Sequence, residues 1–185
     1  MLSAESITGL MGQGALHWPG QLRSDGLLLT LGAPLQPFVA PAALVVDLAD
    51  QSSIDAVYGQ PVDEWKTHDL MPGEMLLGPV QAPLRLGGGV MGVIGGLSHL
   101  ARLGLAVHVT SPFVLPGWSG HLTLELVNAG PAVLRLYHGM PLARLLLFTL
   151  EGPPAQDVTS HPFYGHKADL KSRYADEFRV GSNPR

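Results

Sequence analysis

The stretch GGLSHLARLGLAVHVTSPFVLPGWSGHLTLELVNAG, which occupies residues 95–130, decides the fold. Its last part, HLTLELVN (121–128), alternates strictly between leucines and other residues, and this two-residue period is that of a half-buried strand. The three leucines share one face, so Glu125 lies on the opposite face together with His121 and Thr123. Surface carboxylates are the norm, and alternation alone therefore assigns no function to Glu125.

The composition of the whole chain agrees with a fold built from short strands. The 185 residues include 23 glycines and 16 prolines, which suit many turns better than long helices. One domain is expected at this length, and it is large enough to bury a core. Hydrophobic residues make up 46% and charged residues only 14% of the chain, so we expect an oligomer that covers apolar surface.

Charge and cysteine content exclude several functional classes. The net charge is −4 and no lysine or arginine cluster precedes the C-terminal tail, which argues against nucleic-acid binding. The chain has no cysteine, so it has neither disulfides nor a thiolate metal site, and this fits a cytoplasmic protein. We predict no signal peptide and no membrane span, because no basic leader or uninterrupted apolar window of about 20 residues occurs.

Strands punctuated by glycine and proline predict an all-β sandwich or barrel with short helices. A domain over residues 1–153 and a polar C-terminal tail over 154–185 are expected, because the chain becomes polar after two prolines. Residues 51–69 read as a loop or hairpin, and 70–80 as a turn that feeds a strand. Short helices are predicted over 2–11 and 97–104, and strands over 26–32, 42–49, 105–111, 121–128, 132–137 and 141–150.

The predicted helix over 97–104 carries three polar side chains, Ser98, His99 and Arg102. Ser98 and Arg102 are four residues apart and share one helical face. An arginine facing Glu125 would keep that carboxylate ionised and oriented, and a serine beside them would hold a water molecule. A helix-end arginine that pairs with any surface acid explains the same pattern, so both readings stay open.

The chain resembles the dCTP deaminase branch of the dUTPase-like superfamily. The resemblance rests on LSHLARLGLAVHVT, PGWSGHLTLELVNAG and YHGMPLARLLLF, and it extends to the N-terminal MLSAESI and the tail PFYGHKADLKSRY. It implies a distorted β-barrel or jelly roll (a β-clip), a homotrimer with three active sites at the subunit boundaries, and a C-terminal tail that closes over the nucleotide.

The resemblance also implies an activity, the conversion of dCTP and water to dUTP and ammonia without zinc. Glu125 would be the general base, Ser98 would position the attacking water, and Arg102 would orient Glu125. The backbone at Thr110 and Ser111 would read the pyrimidine edge.

Further residues are expected to hold the sugar and the phosphates. Trp118 would pack against the sugar and favour deoxyribose. Tyr164, Lys171 and Arg173, with His99 as a further contact, would meet phosphates whose oxygens carry Mg²⁺. No metal held by the protein is expected, since the eight histidines lack ligand spacing.

Several positions depart from the family pattern. Leu97 and His99 stand where an arginine and a serine are usual, and Leu115 stands where an aspartate precedes Pro-Gly. Phe113 and the Gly26-Leu27-Leu28 run also replace positions that are more often polar. The missing aspartate argues against dUTP hydrolysis by this chain. Three functions follow in order of preference: a deaminase of a deoxycytidine nucleotide with altered phosphate contacts, a non-catalytic nucleotide or partner binder, and a dUTP diphosphatase.

Overall fold

The computed structural model describes residues 1–41, 43–152 and 170–176. In these residues the chain forms three short helices, α1 (Ala4–Gly12), α2 (Gln51–Asp55) and α3 (Ser98–Ala101). The remaining elements are short strands that pair only in antiparallel fashion. In chain order they are β1 (Leu16–His17), β2 (Leu22–Arg23), β3 (Gly26–Thr30), β4 (Gln36–Pro37), β5 (Thr67–Leu70), β6 (Met75–Pro79), β7 (Leu84–Leu86), β8 (Val90–Gly96), β9 (Leu105–Ala106), β10 (Phe113–Val114), β11 (Ser119–Gly120), β12 (Thr123–Asn128), β13 (Leu134–Tyr137) and β14 (Pro141–Thr149).

The largest sheet of the described residues has five strands, in the order β10-β8-β14-β3-β2. Its central strand β14 is the longest, and its apolar sequence is explained by pairing on both sides, with β8 and with β3. A bulge between Pro141 and Ala143 shifts the register against β3. This sheet carries the short helix α3 at the end of β8.

A four-stranded sheet in the order β4-β6-β12-β9 carries Glu125. β12 pairs with β6 along five residues and with β9 at its C-terminal end. Two smaller sheets, β1-β7-β11 and β13-β5, complete the β structure of the described residues. The inward faces of the strands, with Ile7 of α1, share one apolar core.

Most of the predicted elements are confirmed. The N-terminal helix begins after Ser3, whose hydroxyl accepts a 3.2 Å hydrogen bond from the Ser6 amide, and it buries Ile7. Strands form within the predicted ranges 26–32, 121–128, 132–137 and 141–150, and the turn after residue 70 feeds β6. The expectation of a mainly β protein with short helices is therefore correct.

Two predicted strands are wrong or too long. Residues 43–49 form no strand, and their apolar side chains include Val45, which is 85% exposed. The predicted strand 105–111 ends at Ala106, because β9 pairs with only the last two residues of β12. Within 51–69, the loop-or-hairpin reading missed the helix α2, which Asp50 caps by accepting from the Ser52 amide.

The glycine-rich run before α3 allows close packing. A Cβ on Gly92 would lie 2.7 Å from the Leu145 side chain, and one on Gly96 would lie 2.9 Å from Val107. In the described part of the chain, no helix is long and apolar enough to cross a bilayer.

Candidate active site around Glu125

The strand β12 holds Glu125 on its outward face. Leu122, Leu124 and Leu126 are buried on the other face, so the alternation places Glu125 as the sequence predicts. The carboxylate is half-buried, and its Oε2 accepts a 3.3 Å hydrogen bond from the Val109 amide. Glu125 is therefore anchored to a neighbouring loop and does not extend freely into solvent.

The loop after β9 forms one wall beside Glu125. Thr110 and Ser111 are exposed on this loop. The half-buried His108 points Nδ1 into a buried position where it has no hydrogen-bond partner. After β9 ends at Ala106, the Val109 amide donates to the carboxylate of Glu125 and not to a strand.

The helix α3 presents Ser98, His99 and Arg102 to solvent. Its polar face forms as predicted, since the Arg102 amide donates to the Ser98 carbonyl at 3.1 Å and both residues occupy one turn. Leu100 faces the other way and packs against the core. The Leu97 amide donates to the Leu142 carbonyl at 3.1 Å, which ties the start of the helix to β14.

Arg102 and Glu125 do not meet within one chain. Among the described residues, no hydrogen bond or ion pair joins Arg102 or the Ser98 side chain to Glu125. The predicted orientation of Glu125 by Arg102 is therefore not formed within one chain, and it stays a prediction. The carboxylate is held by a backbone amide, and the two α3 side chains remain available for other contacts.

Trp118 lies mainly in the core. Trp118 is 9% exposed, so little of it is accessible to a ligand, and its predicted contact with the sugar is restricted to that exposed part. Phe113 and Leu115 on the same connection are exposed, at 62% and 41%. Apolar side chains thus occupy surface positions near the turn that leads to Trp118.

The C-terminal residues 170–176 pack against α2 and the segment that follows it. The Ser172 amide donates to the Tyr58 hydroxyl at 3.0 Å, and the Gln51 side chain donates to the Ser172 carbonyl at 2.8 Å. Lys171 Nζ lies 5.9 Å from the centre of the Tyr58 ring, and Arg173 forms an ion pair with Asp176. Lys171 and Arg173 therefore interact with residues of their own chain. Tyr164 lies outside the described residues.

Two features of this region were not singled out from the sequence. Asn128, the last residue of β12, is fully buried and hydrogen-bonded through its side-chain amide. His121 shares the outward face of Glu125 as predicted, but its Nδ1 bonds the Val80 carbonyl at 2.8 Å and serves the fold. A short polar side chain at a strand end followed by Ala-Gly was the available signal for Asn128.

The described residues contain no group of three or more histidine, cysteine or acidic side chains placed to hold a metal ion.

A family model described as dCTP deaminase-like matches residues 1–150. The chain belongs to the dCTP deaminase-like family. This match spans α1, both large sheets, α3 and Glu125, which are the elements that build the site.

Curated relatives of known name agree with this family. The dCTP deaminase of Rhodospirillum rubrum is 36% identical over 158 residues, covering 80% of this chain and 81% of its own. That of Pseudoalteromonas translucida is 37% identical over 159 residues, covering 80% and 82%. A dUMP-forming dCTP deaminase of a Nocardioides species is 38% identical over 138 residues, covering 75% of this chain but 64% of its own.

The fold is shared with a solved structure. The 2′-deoxycytidine 5′-triphosphate deaminase of Agrobacterium tumefaciens superimposes with a TM-score of 0.61 at 18% identity. The superposition covers 79% of this chain and 47% of that one, so this chain spans about half the length of that protein. At this identity the likeness concerns the fold alone.

Proposed function

We propose that this chain is a zinc-independent hydrolytic deaminase that converts dCTP and water to dUTP and ammonia, with Glu125 as the general base. One observation carries the proposal. In a chain 36–38% identical to dCTP deaminases, Glu125 lies half-buried on the outward face of β12 with its carboxylate held by the Val109 amide. A carboxylate held in this way is suited to exchange a proton with a bound water.

In the proposed reaction, Glu125 transfers protons from the attacking water to the cytosine base. Glu125 takes one proton from water while the water oxygen bonds to C4 of the cytosine ring, and this proton passes to N3. Glu125 next carries the second proton of the water to the exocyclic nitrogen, the bond between C4 and that nitrogen breaks as the C4 carbonyl forms, and ammonia leaves. General base catalysis of this kind contributes roughly 10²- to 10⁴-fold to a rate.

We propose that a second copy of the chain completes the site, in a homotrimer with sites at the subunit boundaries. Ser98 and Arg102 are exposed and do not reach Glu125 of their own subunit. The exposed Phe113 pairs with Val93 of β8, whose own side chain is half-buried on the outer surface of the five-stranded sheet. This apolar surface beside α3 gives a second copy an area to cover.

In that assembly Ser98 would position the attacking water, and Arg102 would orient Glu125 of the neighbouring subunit. The backbone at the exposed Thr110 and Ser111 would contact the pyrimidine edge, and the exposed part of Trp118 would face the deoxyribose.

The nucleotide would enter with Mg²⁺ on its phosphate oxygens. His99 on α3 and the cations of the tail, Lys171 and Arg173, would contact the phosphates, together with Tyr164. For Lys171 and Arg173 this requires that residues 170–176 exchange their contacts with Tyr58 and Asp176 for contacts with phosphate. Charge-assisted hydrogen bonds to phosphate are strong enough to compete with such exposed pairs.

The assay also decides how many phosphates the preferred substrate carries and whether the product is dUTP or dUMP. The exposed apolar Leu115 and Phe113 favour a site with fewer polar phosphate or sugar contacts, and so a deoxycytidine nucleotide with fewer phosphates is the first alternative substrate. The Nocardioides relative is described as dUMP-forming, which makes dUMP the alternative product. Leu115 in the expected place of an acid argues against this product.

The test is a chromatographic product assay of the purified protein with dCTP and Mg²⁺, beside Glu125→Gln. We expect dUTP and ammonia from the unchanged protein and a loss of activity of at least about a hundredfold in the variant. Thr123→Val, a change on the same face of β12, is the matched control and should retain activity.

Each alternative gives a different result in this assay. Production of dUMP with pyrophosphate would assign diphosphatase chemistry to the chain as well. Absence of any product with dCTP, dCDP or dCMP would reject the deaminase. A melting temperature that still rises with nucleotide would then identify a non-catalytic binder.

A further inference from the structure

The end of α3 and the end of β12 cross at two glycines. Gly104 has a φ of +89°, and a Cβ at this residue would lie 2.5 Å from the Gly130 amide nitrogen. In return, a Cβ on Gly130 would lie 2.6 Å from the Leu103 carbonyl oxygen. The Ala129 amide donates to the Gly104 carbonyl at 2.8 Å across the same crossing. Only two glycines permit this approach, which lies directly after the C-cap turn of α3.

The side chain of Asn128 forms hydrogen bonds beside this crossing. Its Oδ1 accepts from the Gly130 amide at 3.0 Å. Its Nδ2 donates to the Leu70 carbonyl at 2.9 Å and to the Ala132 carbonyl at 2.8 Å. Both amide protons are therefore used, and the residue is 0% exposed. A buried group in this position is costly to leave unsatisfied.

The backbone amide and carbonyl of Asn128 are both hydrogen-bonded as well. Its amide donates to the Glu74 carbonyl at 3.1 Å, and its carbonyl accepts from the Gly73 amide at 2.8 Å. Asn128 therefore joins the C-terminal end of β12, the turn before β6 and the Gly130 turn in one buried network. Such a network rigidifies the segments that it joins.

We infer that Asn128 is a positioning residue of the active site, acting through the Gly104–Gly130 crossing on Ser98 and Arg102. Arg102 lies two residues before Gly104, and its amide belongs to the single turn that also contains Ser98. The other end of α3 is tied to β14 by the Leu97 amide. Besides the packing of Leu100 against the core and the pairing of β9 with β12, the C-terminal side of α3 is therefore held through the turn that Asn128 fixes.

The inference rests on the proposed deaminase activity, and it concerns how accurately Ser98 and Arg102 are positioned in the active site. Catalytic groups displaced by about 1 Å lose large factors in rate while the fold persists. The structural alternative is that Asn128 only stabilises the protein. Gln36 offers a matched comparison, because it is a buried amide of the same four-stranded sheet that donates at 2.7 Å to the Gly59 carbonyl, away from α3.

The experiment compares Asn128→Asp with Gln36→Glu, each of which replaces a buried amide with a carboxylate of the same shape. Hydrogen exchange of peptides from 97–104 and from β3 is followed by mass spectrometry without nucleotide. We expect Asn128→Asp to accelerate exchange at least about tenfold in 97–104 with β3 unchanged, and Gln36→Glu to leave 97–104 unchanged. Equal acceleration in both peptides would overturn the inference.

Kinetics on dCTP provide a second readout that a loss of folded protein does not mimic. Combined with Ser98→Ala, Asn128→Asp should cost much less than the product of the two separate losses in kcat, because both act on the same placement. Multiplicative losses would reject the inference.

Gly130→Ala repeats the test if Asn128→Asp does not fold, since its methyl group would press on the Leu103 carbonyl without changing the amide. The same local acceleration of exchange is expected. If the protein without substitutions is inactive on dCTP, only the proposed function is refuted. The hydrogen-exchange experiment still decides whether Asn128 holds α3.

Discussion

The segment 43–49 is more apolar in sequence than the strand β12, yet only β12 became a strand. β12 pairs on both sides, with β6 and β9, and buries its leucines. Residues 43–49 remain irregular, and Val45 is 85% exposed. The difference lies in pairing, because Leu44, Val46 and Leu48 would also share one face of a strand, yet no strand of the described residues pairs with 43–49. Continuous apolar runs do form strands where partners are available, as β3 and β14 show.

Among substitutions that compare β12 with the segment 43–49, Leu124→Ala is expected to lower the free energy of unfolding most. Leu124 is 0% exposed in the core, so removing its side chain loses burial and leaves a cavity. The free energy of unfolding should fall by about 2–5 kcal/mol, measured by urea denaturation. A loss below about 1 kcal/mol would mean that the core around β12 closes over the gap.

A smaller effect is expected for Gly78→Ala on the strand that pairs with β12. Gly78 lies opposite Leu124, and an added Cβ would lie 2.6 Å from a terminal methyl group of the buried Leu31. Overpacking should cost about 1–3 kcal/mol of unfolding free energy. Gly73→Ala is unsuitable as a control because of its positive φ, and Gly9→Ala on the open side of α1 should instead be neutral or stabilising.

In the irregular segment, Val45→Ser should change little. The exposed side chain buries nothing in one chain, so the free energy of unfolding should stay within about 0.5 kcal/mol. The same denaturation experiment measures it. A loss comparable to that of Leu124→Ala would show that the segment is covered in the assembled protein, and an unchanged value would keep the contrast with β12.

The smallest effect is expected for the exposed pair Asp69–Arg135, which joins β5 to β13. Hydrogen bonds from Arg135 hold the pKa of Asp69 below its usual value. A lowered carboxyl pKa stabilises the fold above the unfolded pKa of about 3.9 and loses this contribution as the pH falls through the folded value. Asp69→Asn should therefore lower the melting temperature slightly at pH 7 and not at pH 2. An equal loss at both values would attribute the effect to packing.

The alternating and punctuated strands could be predicted because period and turn residues are local properties of a sequence. The same locality explains why residues 43–49 were misassigned, since whether a partner strand is available is decided elsewhere in the chain. The range 105–111 was predicted too long for a related reason. Val109 turns its amide toward Glu125, a contact 16 residues distant that no local pattern records.

For the candidate site, the outward face of Glu125 and the shared face of Ser98 and Arg102 followed from spacing alone. Two facts did not. Trp118 is largely buried in the core, and Asn128 is a buried network residue, although polar residues at strand ends are usually exposed. Both depend on what the remainder of the chain packs against them.

By itself, the sequence determined the mainly β architecture, the N-terminal helix, the face of Glu125 and the family resemblance, because each is encoded in periods and motifs a few residues long. Tertiary structure alone decided that Arg102 does not reach Glu125 within its own chain, that Lys171 lies over Tyr58, and that Gly104 meets Gly130. Such contacts join residues distant in sequence, and their geometry is set by the packing of whole sheets.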